Sequence, residues 1–212
     1  MSNEQKDKRL FASTLILVVV HIAGIIGIQT DYKDLFLMCT PFNLLLCIGL
    51  LFWNHAEYSK SLFIFSILTF LIGYFIEVVG VKTGMIFGNY SYGNTLGFKI
   101  LDVPLIIGVN WLLLIYCVGV ICNKLKISSL YKSLFGAALL TALDLSIEVV
   151  AIKYDFWSWI GDYPPFQNFI AWFIVSFLLL LLFHSMNFNK SNKLAQGLFF
   201  IQLVFFVTLS FL

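Results

Sequence analysis

Three carboxyl side chains lie inside long apolar stretches of the sequence: Glu77, Asp144 and Glu148. Asp144 and Glu148 are four residues apart, so on a helix they share one face. An ionisable group at the centre of a membrane span costs about 2.5–3.5 kcal/mol on insertion scales, which makes each of them a candidate for function. Carboxyl groups that are close together in apolar surroundings share a proton. The set therefore predicts a site that supplies a general acid.

The same carboxyls also fit a structural role, in which buried polar groups hydrogen-bond neighbouring helices and hold them together. Asn43, Asn110 and His21 are available as partners. His21 and His184 each stand alone in the sequence and are interpreted as core or interfacial residues. The sequence contains no zinc-binding Cys/His pattern, HExxH motif, phosphate-binding loop or dinucleotide fingerprint. We therefore expect neither a metal nor a cofactor.

The composition indicates which elements position these carboxyls. Of the 212 residues, 60% are hydrophobic and only 11% are charged, far from the values of soluble proteins. A chain in lipid must satisfy its backbone hydrogen bonds internally, and apolar runs of this length exclude barrel strands. The sequence predicts an all-α fold, a polytopic transmembrane helix bundle of about seven helices that forms a single transmembrane domain over 1–212. The expected spans are 10–28, 35–53, 61–79, 103–122, 131–152, 168–184 and 195–212.

The distribution of Lys and Arg predicts the orientation in the membrane. Nine of the 13 lie in the N-terminal segment and in the loops after the second, fourth and sixth spans. Positive residues favour the cytoplasmic side, so we expect a cytoplasmic N-terminus in a bacterial inner membrane. The third and fifth spans then run in the same direction, with Glu77 and Glu148 at similar depth near the outer leaflet and Asp144 one turn deeper. A net charge of +2 without a basic face indicates membrane lipid, and no nucleic acid, as partner.

Two long loops, 80–102 and 153–167, face outward in this topology and are rich in glycine and aromatic residues. Glycine specifies tight turns, and headgroup anchoring does not require it. Aromatic residues near helix ends are also expected as an interfacial belt. The rings of these loops therefore fit either a substrate site above the carboxyls or membrane anchoring.

Two blocks of the sequence resemble the carotenoid biosynthesis membrane family, which includes carotenoid 1,2-hydratases. The first block reads EVVGVKTG at 77–84, FGNYSY at 87–92, LG at 96–97 and VP at 103–104, with Trp111 after it. The second reads DLSIEVVA at 144–151, FWSW at 156–159 and YPP at 163–165, followed by Asn168, Phe169 and Trp172. Both blocks occur in the order and spacing of the family.

This resemblance implies a cofactor-free hydration of the terminal double bond of an acyclic carotenoid, a lipid-soluble substrate. Protonation of such an alkene at C2 places a tertiary cation at C1, which requires a protonated acid, electron-rich rings and a positioned water. The candidate catalytic residues are Glu77, Asp144 and Glu148. The candidate substrate-binding residues are Tyr90, Tyr92, Trp111, Trp157, Trp159, Asn43 and Asn168.

Other functions fit the same residues. A cyclase starts from the same cation and captures it with a neighbouring double bond instead of water. A transporter or a scaffold subunit uses intramembrane carboxyls to bind a proton or a partner. The sequence does not indicate an oligomeric state, the carotenoid used or the number of ends that react.

Overall fold

A computed structural model describes residues 2–212, and the predicted all-α transmembrane bundle is confirmed. Six helices of this range are long and apolar enough to cross a membrane: Asn3–Ile28, Lys60–Thr83, Ile106–Asn123, Ser129–Lys153, Phe166–Ser185 and Lys193–Phe211. The eight helices in residues 2–212 are α1 (Asn3–Ile28), α2 (Lys33–Met38), α3 (Thr40–Trp53), α4 (Lys60–Thr83), α5 (Ile106–Asn123), α6 (Ser129–Lys153), α7 (Phe166–Ser185) and α8 (Lys193–Phe211).

The second predicted span, 35–53, differs from the expectation because it is divided into α2 and α3. The break lies at Cys39, and Pro41 follows in the first turn of α3. Proline lacks an amide hydrogen and its ring clashes with the carbonyl four residues earlier, so it fits a helix start and not a helix interior. The 14 residues of α3 extend about 21 Å at 1.5 Å per residue, which is shorter than the hydrocarbon core of a bilayer.

The first helix begins earlier than expected, because its polar start is capped. Ser2 accepts a hydrogen bond from the Gln5 amide, and the Gln5 side chain accepts one from the Ser2 amide. This reciprocal pair satisfies two amide groups that a helix start leaves open. The helix therefore includes the charged residues that precede the apolar run.

Two short strands join the long loops to each other at one end of the bundle. β1 (Tyr90–Tyr92) follows α4 and pairs antiparallel with β4 (Trp157–Trp159), which follows α6. Because the loops after α4 and α6 meet, these helices run in the same direction, as predicted. A separate hairpin, β2 (Lys99–Ile100) with β3 (Val103–Pro104), leads into α5.

The alternation of side chains along β1 and β4 directs their aromatic residues toward the bundle. Tyr90 lies opposite Trp159 and Tyr92 opposite Trp157, whereas Ser91 and Ser158 between them are exposed. Side chains alternate between the two faces of a strand, so all four rings share the inner face. Both tyrosines and Trp159 are buried and Trp157 is half-buried. These four residues therefore belong to the interior and are not an interfacial belt.

The central helix is α5, whose residues are mostly buried and which packs against α3, α4, α6, α7 and α8. It packs tightly against α4 where Gly73 faces Trp111. A Cβ atom on Gly73 would lie 2.5 Å from the Cβ of Trp111. The absence of a side chain at Gly73 thus leaves the space that Trp111 occupies.

We predict that Gly73→Ala lowers the free energy of unfolding by about 1–3 kcal/mol, because the added methyl group overpacks this contact. Gly49→Ala is the matched control, since a Cβ there meets nothing within 4 Å, and alanine favours a helix by up to about 1 kcal/mol over glycine. Denaturant unfolding of the purified protein in detergent measures both. Equal effects of the two substitutions would contradict the packing argument.

Candidate active site

Glu77 lies near the end of α4, is 5% exposed and accepts three hydrogen bonds. The hydroxyls of Tyr90 and Tyr92 donate to its Oε2 at 2.5 and 2.8 Å, and the Trp111 indole nitrogen donates to Oε1 at 3.0 Å. Burial and the adjacent Glu77 charge raise the pKa of the Tyr90 and Tyr92 hydroxyls. Both tyrosines therefore keep their protons and remain donors.

Glu148 lies on α6 and also accepts three hydrogen bonds. The indole nitrogens of Trp157 and Trp159 donate to its Oε2 at 3.1 and 2.8 Å. The amide nitrogen of Asn168, a buried residue of α7, donates to Oε1 at 3.1 Å. β4 and α7 thus supply all three donors.

Asn168 also connects Glu148 to the third carboxyl. Its Nδ2 donates to Asp144 Oδ2 at 3.0 Å, one helical turn away from Glu148 on the same face of α6. Asp144 is fully buried, and its Oδ1 has no hydrogen-bond partner among residues 2–212. A single amide therefore bridges two buried carboxyls, and Asp144 accepts fewer hydrogen bonds than Glu148.

Glu77 and Glu148 differ in the hydrogen-bonding groups that would surround a proton on the carboxyl. The three groups that hydrogen-bond Glu148 are N–H donors, and an N–H donor cannot accept a hydrogen bond from a protonated carboxyl. Glu77 contacts two tyrosine hydroxyls, and each hydroxyl can accept as well as donate. A proton on Glu148 is therefore directed away from its contacts, whereas a proton on Glu77 has acceptors at hand.

The carboxyl cavity, as we name the space between the two glutamates, has a volume of about 30 Å³. This is room for about one or two water molecules. Glu77 and Glu148 both line it, and Asn110 and Asn168 add polar groups. The remaining wall consists of Ile107 and seven aromatic side chains: Phe87, Tyr90, Tyr92, Trp111, Trp157, Trp159 and Trp172.

The rings of this wall are fixed against one another. Trp111 stacks on Trp172 with centroids 4.4 Å apart and an interplanar angle of 23°. Tyr90 packs on Trp159 at 5.0 Å. Aromatic faces carry partial negative charge and attract a cation that approaches within about 6 Å. The cavity combines buried carboxyls with electron-rich faces.

A second and larger space, the apolar cavity, adjoins the carboxyl cavity. Its volume is about 360 Å³, and apolar residues of α1, α3, α5, α6 and α8 form most of its wall. Ile107, Asn110 and Trp157 line both cavities. Phe42, which is 72% exposed on the outside of the bundle, also borders it. These three shared residues therefore lie between the apolar cavity and the carboxyls.

Comparison with known proteins identifies the family of the chain. Residues 39–212 match the family described as carotenoid biosynthesis protein. The chain belongs to this family. It is also similar to bisanhydrobacterioruberin hydratase of Haloarcula japonica, with 31% identity over 123 residues. The alignment covers 53% of this chain and 41% of the relative, so the chain matches less than half the length of that protein. No solved structure matches the chain.

Eight of the ten site residues predicted from the sequence of this carotenoid biosynthesis protein line the carboxyl cavity. They are Glu77, Tyr90, Tyr92, Trp111, Glu148, Trp157, Trp159 and Asn168. Asp144 lies behind Asn168 and reaches the cavity through it. Asn43 lies elsewhere, on the wall of the apolar cavity, where it accepts a long contact from the Cys47 thiol at 3.8 Å.

Four residues of the carboxyl cavity had no predicted role in substrate binding or catalysis: Phe87, Ile107, Asn110 and Trp172. Phe87 belongs to the first sequence block and Trp172 to the second, which is the available signal for both. For Asn110, which the sequence offers as a contact between helices, the signal is its place one residue before Trp111. His21, another expected partner of the carboxyls, instead lines the apolar cavity.

We predict that Asn168→Leu and Asp144→Leu are coupled in their effects on stability. Asn168→Leu leaves Asp144 without a donor and Glu148 with only its two indole donors, and it is expected to lower the free energy of unfolding by about 1–3 kcal/mol. Adding Asp144→Leu removes the carboxyl that has lost its donor, so the double variant should lose less than the sum of the single effects. Denaturant unfolding in detergent measures the free energies of unfolding of the two single variants and the double variant.

Asn94→Leu, at an exposed loop position, serves as the control for this cycle and should show no coupling to Asp144→Leu. Additivity within about 0.5 kcal/mol for the Asn168 pair would rule out the bridge as a stabilising contact.

Proposed function

We propose that this protein is a carotenoid hydratase, which adds water across the terminal C1,C2 double bond of an acyclic carotenoid end. The observation that carries the proposal is that Glu77 and Glu148 face one water-sized cavity that adjoins a larger apolar cavity. Membership in the carotenoid biosynthesis family and the similarity to a hydratase support it.

The apolar cavity is the proposed binding site for the end of the carotenoid. Its volume of about 360 Å³ is within the range of about 300–1,000 Å³ that is usual for ligand sites. The exposed Phe42 at its border offers a path from the lipid. The terminal alkene would pass Ile107, Asn110 and Trp157 and reach Glu148, while the polyene stays among the helices.

Glu148 is the proposed general acid. Its proton, which has no acceptor among its protein contacts, transfers to C2 as the alkene electron pair forms the new C–H bond. C1 becomes a tertiary cation and Glu148 becomes a carboxylate. The N–H groups of Trp157, Trp159 and Asn168 already point at its two oxygens. Donors fixed where charge develops lower the barrier, because they need no reorganisation during the step.

The tertiary cation is stabilised by the aromatic wall until water captures it. The stacked pair of Trp111 and Trp172 and the faces of Tyr90 and Trp159 surround the carboxyl cavity. A desolvated cation over such faces gains about 2 kcal/mol.

Glu77 is the proposed base for the attacking water. The water oxygen bonds to C1, and one of its protons moves to Glu77, which gives a tertiary alcohol at the chain end. The proton then returns from Glu77 to Glu148 through water in the cavity that both residues line. The alcohol contains the combined atoms and electrons of the alkene and the water, so the reaction as written needs no oxidant or reductant. Asp144 acts through Asn168 as a positioning residue for Glu148.

We predict that Glu148→Gln lowers the yield of hydrated pigment by about 10²–10⁴-fold, because an amide cannot supply the acid proton. The chain and its variants are expressed in a bacterium that makes lycopene, and the pigments are analysed by chromatography and mass spectrometry. The product should be heavier than lycopene by one water with its chromophore unchanged. Glu57→Gln, the same change at an exposed position, is the control and should leave the yield unchanged.

Two results of this assay would contradict the proposal. A new pigment of unchanged mass would show capture of the cation by a neighbouring double bond, which is cyclisation. An undiminished yield from stably inserted Glu148→Gln protein would remove Glu148 from the role of acid.

We predict that Glu77→Gln separates protonation from water capture. Membranes that contain this variant are incubated with lycopene in D₂O. Glu148 still delivers a deuteron to C2, but without its base the water adds poorly, and the cation returns to alkene by losing a proton. The recovered lycopene should therefore carry deuterium at C2 while the hydrated product falls by about 10²-fold or more.

Glu148→Gln should lose both the deuterium exchange and the product in this experiment. If Glu77→Gln abolishes exchange as well, and Glu148→Gln retains it, the roles of the two glutamates are reversed.

A further inference from the structure

A group of basic side chains lies at the end of the bundle opposite the carboxyl cavity, where α5 and α7 end and α6 and α8 begin. No Asp or Glu occurs in 103–143 or in 163–212, so these segments supply no negative side chain. The two connections at this end and the helix turns beside them carry five lysines: Lys124, Lys126, Lys132, Lys190 and Lys193. The mechanism above uses none of them.

Two of these lysines are held in place beside a histidine, and we name Lys132, His184 and Lys190 the basic cluster. The Lys132 ammonium donates to the Asn123 carbonyl oxygen at the end of α5, at 3.3 Å. The Lys190 ammonium donates to the Met186 carbonyl oxygen at the end of α7. Lys132 lies close enough to His184 and Lys190 for its charge to act on both. The cluster therefore joins the ends of two helices to the first turns of α6.

The lysines of the basic cluster keep donors free. An ammonium group has three N–H donors, and each lysine uses one of them on a helix carbonyl. Neither Lys132 nor Lys190 forms a salt bridge with a carboxylate of residues 2–212. Burial and the charge of Lys132 lower the pKa of Lys190, whose ammonium lies 4.7 Å from the centroid of the Phe188 ring. Capping of the helix ends thus leaves the repulsion between the two charges without compensation.

His184 adds an unpaired nitrogen to the basic cluster. It lies in the last turn of α7, and its Nε2 is buried without a hydrogen-bond partner among residues 2–212. In the tautomer that carries the hydrogen on Nε2, this nitrogen is a donor. Buried polar groups are normally paired, so such a donor is expected to meet a ligand or water. The basic cluster therefore offers several donors and positive charge, which matches an anion with several oxygens.

We propose that the basic cluster binds the phosphodiester headgroup of an anionic lipid. A phosphodiester carries one negative charge on two free oxygens, and charged N–H donors bind such oxygens strongly. The residues between the lysines favour a lipid over soluble phosphate, because Leu125, Ile127, Leu130 and Tyr131 are all exposed. Lysines that alternate with exposed apolar side chains fit the boundary between headgroups and acyl chains. The site lies outside both cavities and does not rest on the proposed function.

The test measures how a lipid stabilises the full chain in detergent micelles. The melting temperature is followed at increasing mole fractions of dioleoyl phosphatidylglycerol, and the mole fraction at half of the rise measures the affinity. Dioleoyl phosphatidylcholine is the comparison, since it has the same acyl chains and phosphodiester but no net charge. The parent protein should reach half of the rise at a mole fraction about tenfold lower for phosphatidylglycerol than for phosphatidylcholine.

Lys132→Gln combined with Lys190→Gln should raise the phosphatidylglycerol value about tenfold relative to Lys6→Gln combined with Lys60→Gln, because charge-assisted hydrogen bonds are lost. The second pair is the matched control. It removes the same charge from exposed positions at the same end of the bundle, so general attraction to an anionic micelle falls equally in both variants. Glutamine keeps an N–H donor for each helix carbonyl.

Equal phosphatidylglycerol values for the two double variants would overturn the site. If the Lys132 and Lys190 double variant does not fold, Lys190→Gln is compared with Lys60→Gln, and equal values there would overturn it as well. Inorganic phosphate is added to the parent protein against chloride at the same ionic strength. Stabilisation by phosphate that equals the effect of phosphatidylglycerol would show a site for a free anion and overturn the assignment to a lipid.

Discussion

The pairing of β1 with β4 is the contact on which the site depends. Glu77 and Glu148 are buried near the ends of two helices, and a buried carboxylate without donors is too costly to keep. Four of the six hydrogen bonds to the two glutamates come from the inner face of these two strands. The register sets Tyr90 beside Trp159 and Tyr92 beside Trp157, so a shift by one residue would turn all four rings outward. Strand pairing thus places the donors and also closes the cavity.

The same pairing gives the two carboxyls different surroundings. β1 contributes hydroxyls to Glu77, and β4 contributes indole nitrogens to Glu148. A hydroxyl accepts and donates, whereas an indole nitrogen only donates. The acid and base roles proposed for these two glutamates therefore follow from the side chains opposite them, which is how such roles are commonly divided between carboxyls.

The helical bundle and most of the site were predictable, because length and apolar composition determine the spans and because buried carboxyls are rare. The break at Cys39 was less visible, since Pro41 interrupts a run that stays apolar on both sides. The sequence did not determine that Tyr90 and Trp157 point into the bundle. Aromatic residues at helix ends fit an interfacial belt equally well until the pairing of their strands is known. Asn43 and Asn110 were indistinguishable as isolated amides, and only the packing of α3 and α5 separates their positions.

The size of the carboxyl cavity favours water over a double bond as the group that captures the cation. Cyclisation folds the chain so that a second alkene approaches C1, which requires space for several carbon atoms beside the acid. About 30 Å³ between Glu77 and Glu148 accommodates water but not such a fold. The larger space lies on the other side of Ile107, Asn110 and Trp157, away from the carboxyls. In the proposed mechanism an extended chain end enters past these residues and meets the acid before it has room to turn, and the polar groups of Tyr92 and Asn110 on the cavity wall are available to hydrogen-bond the attacking water.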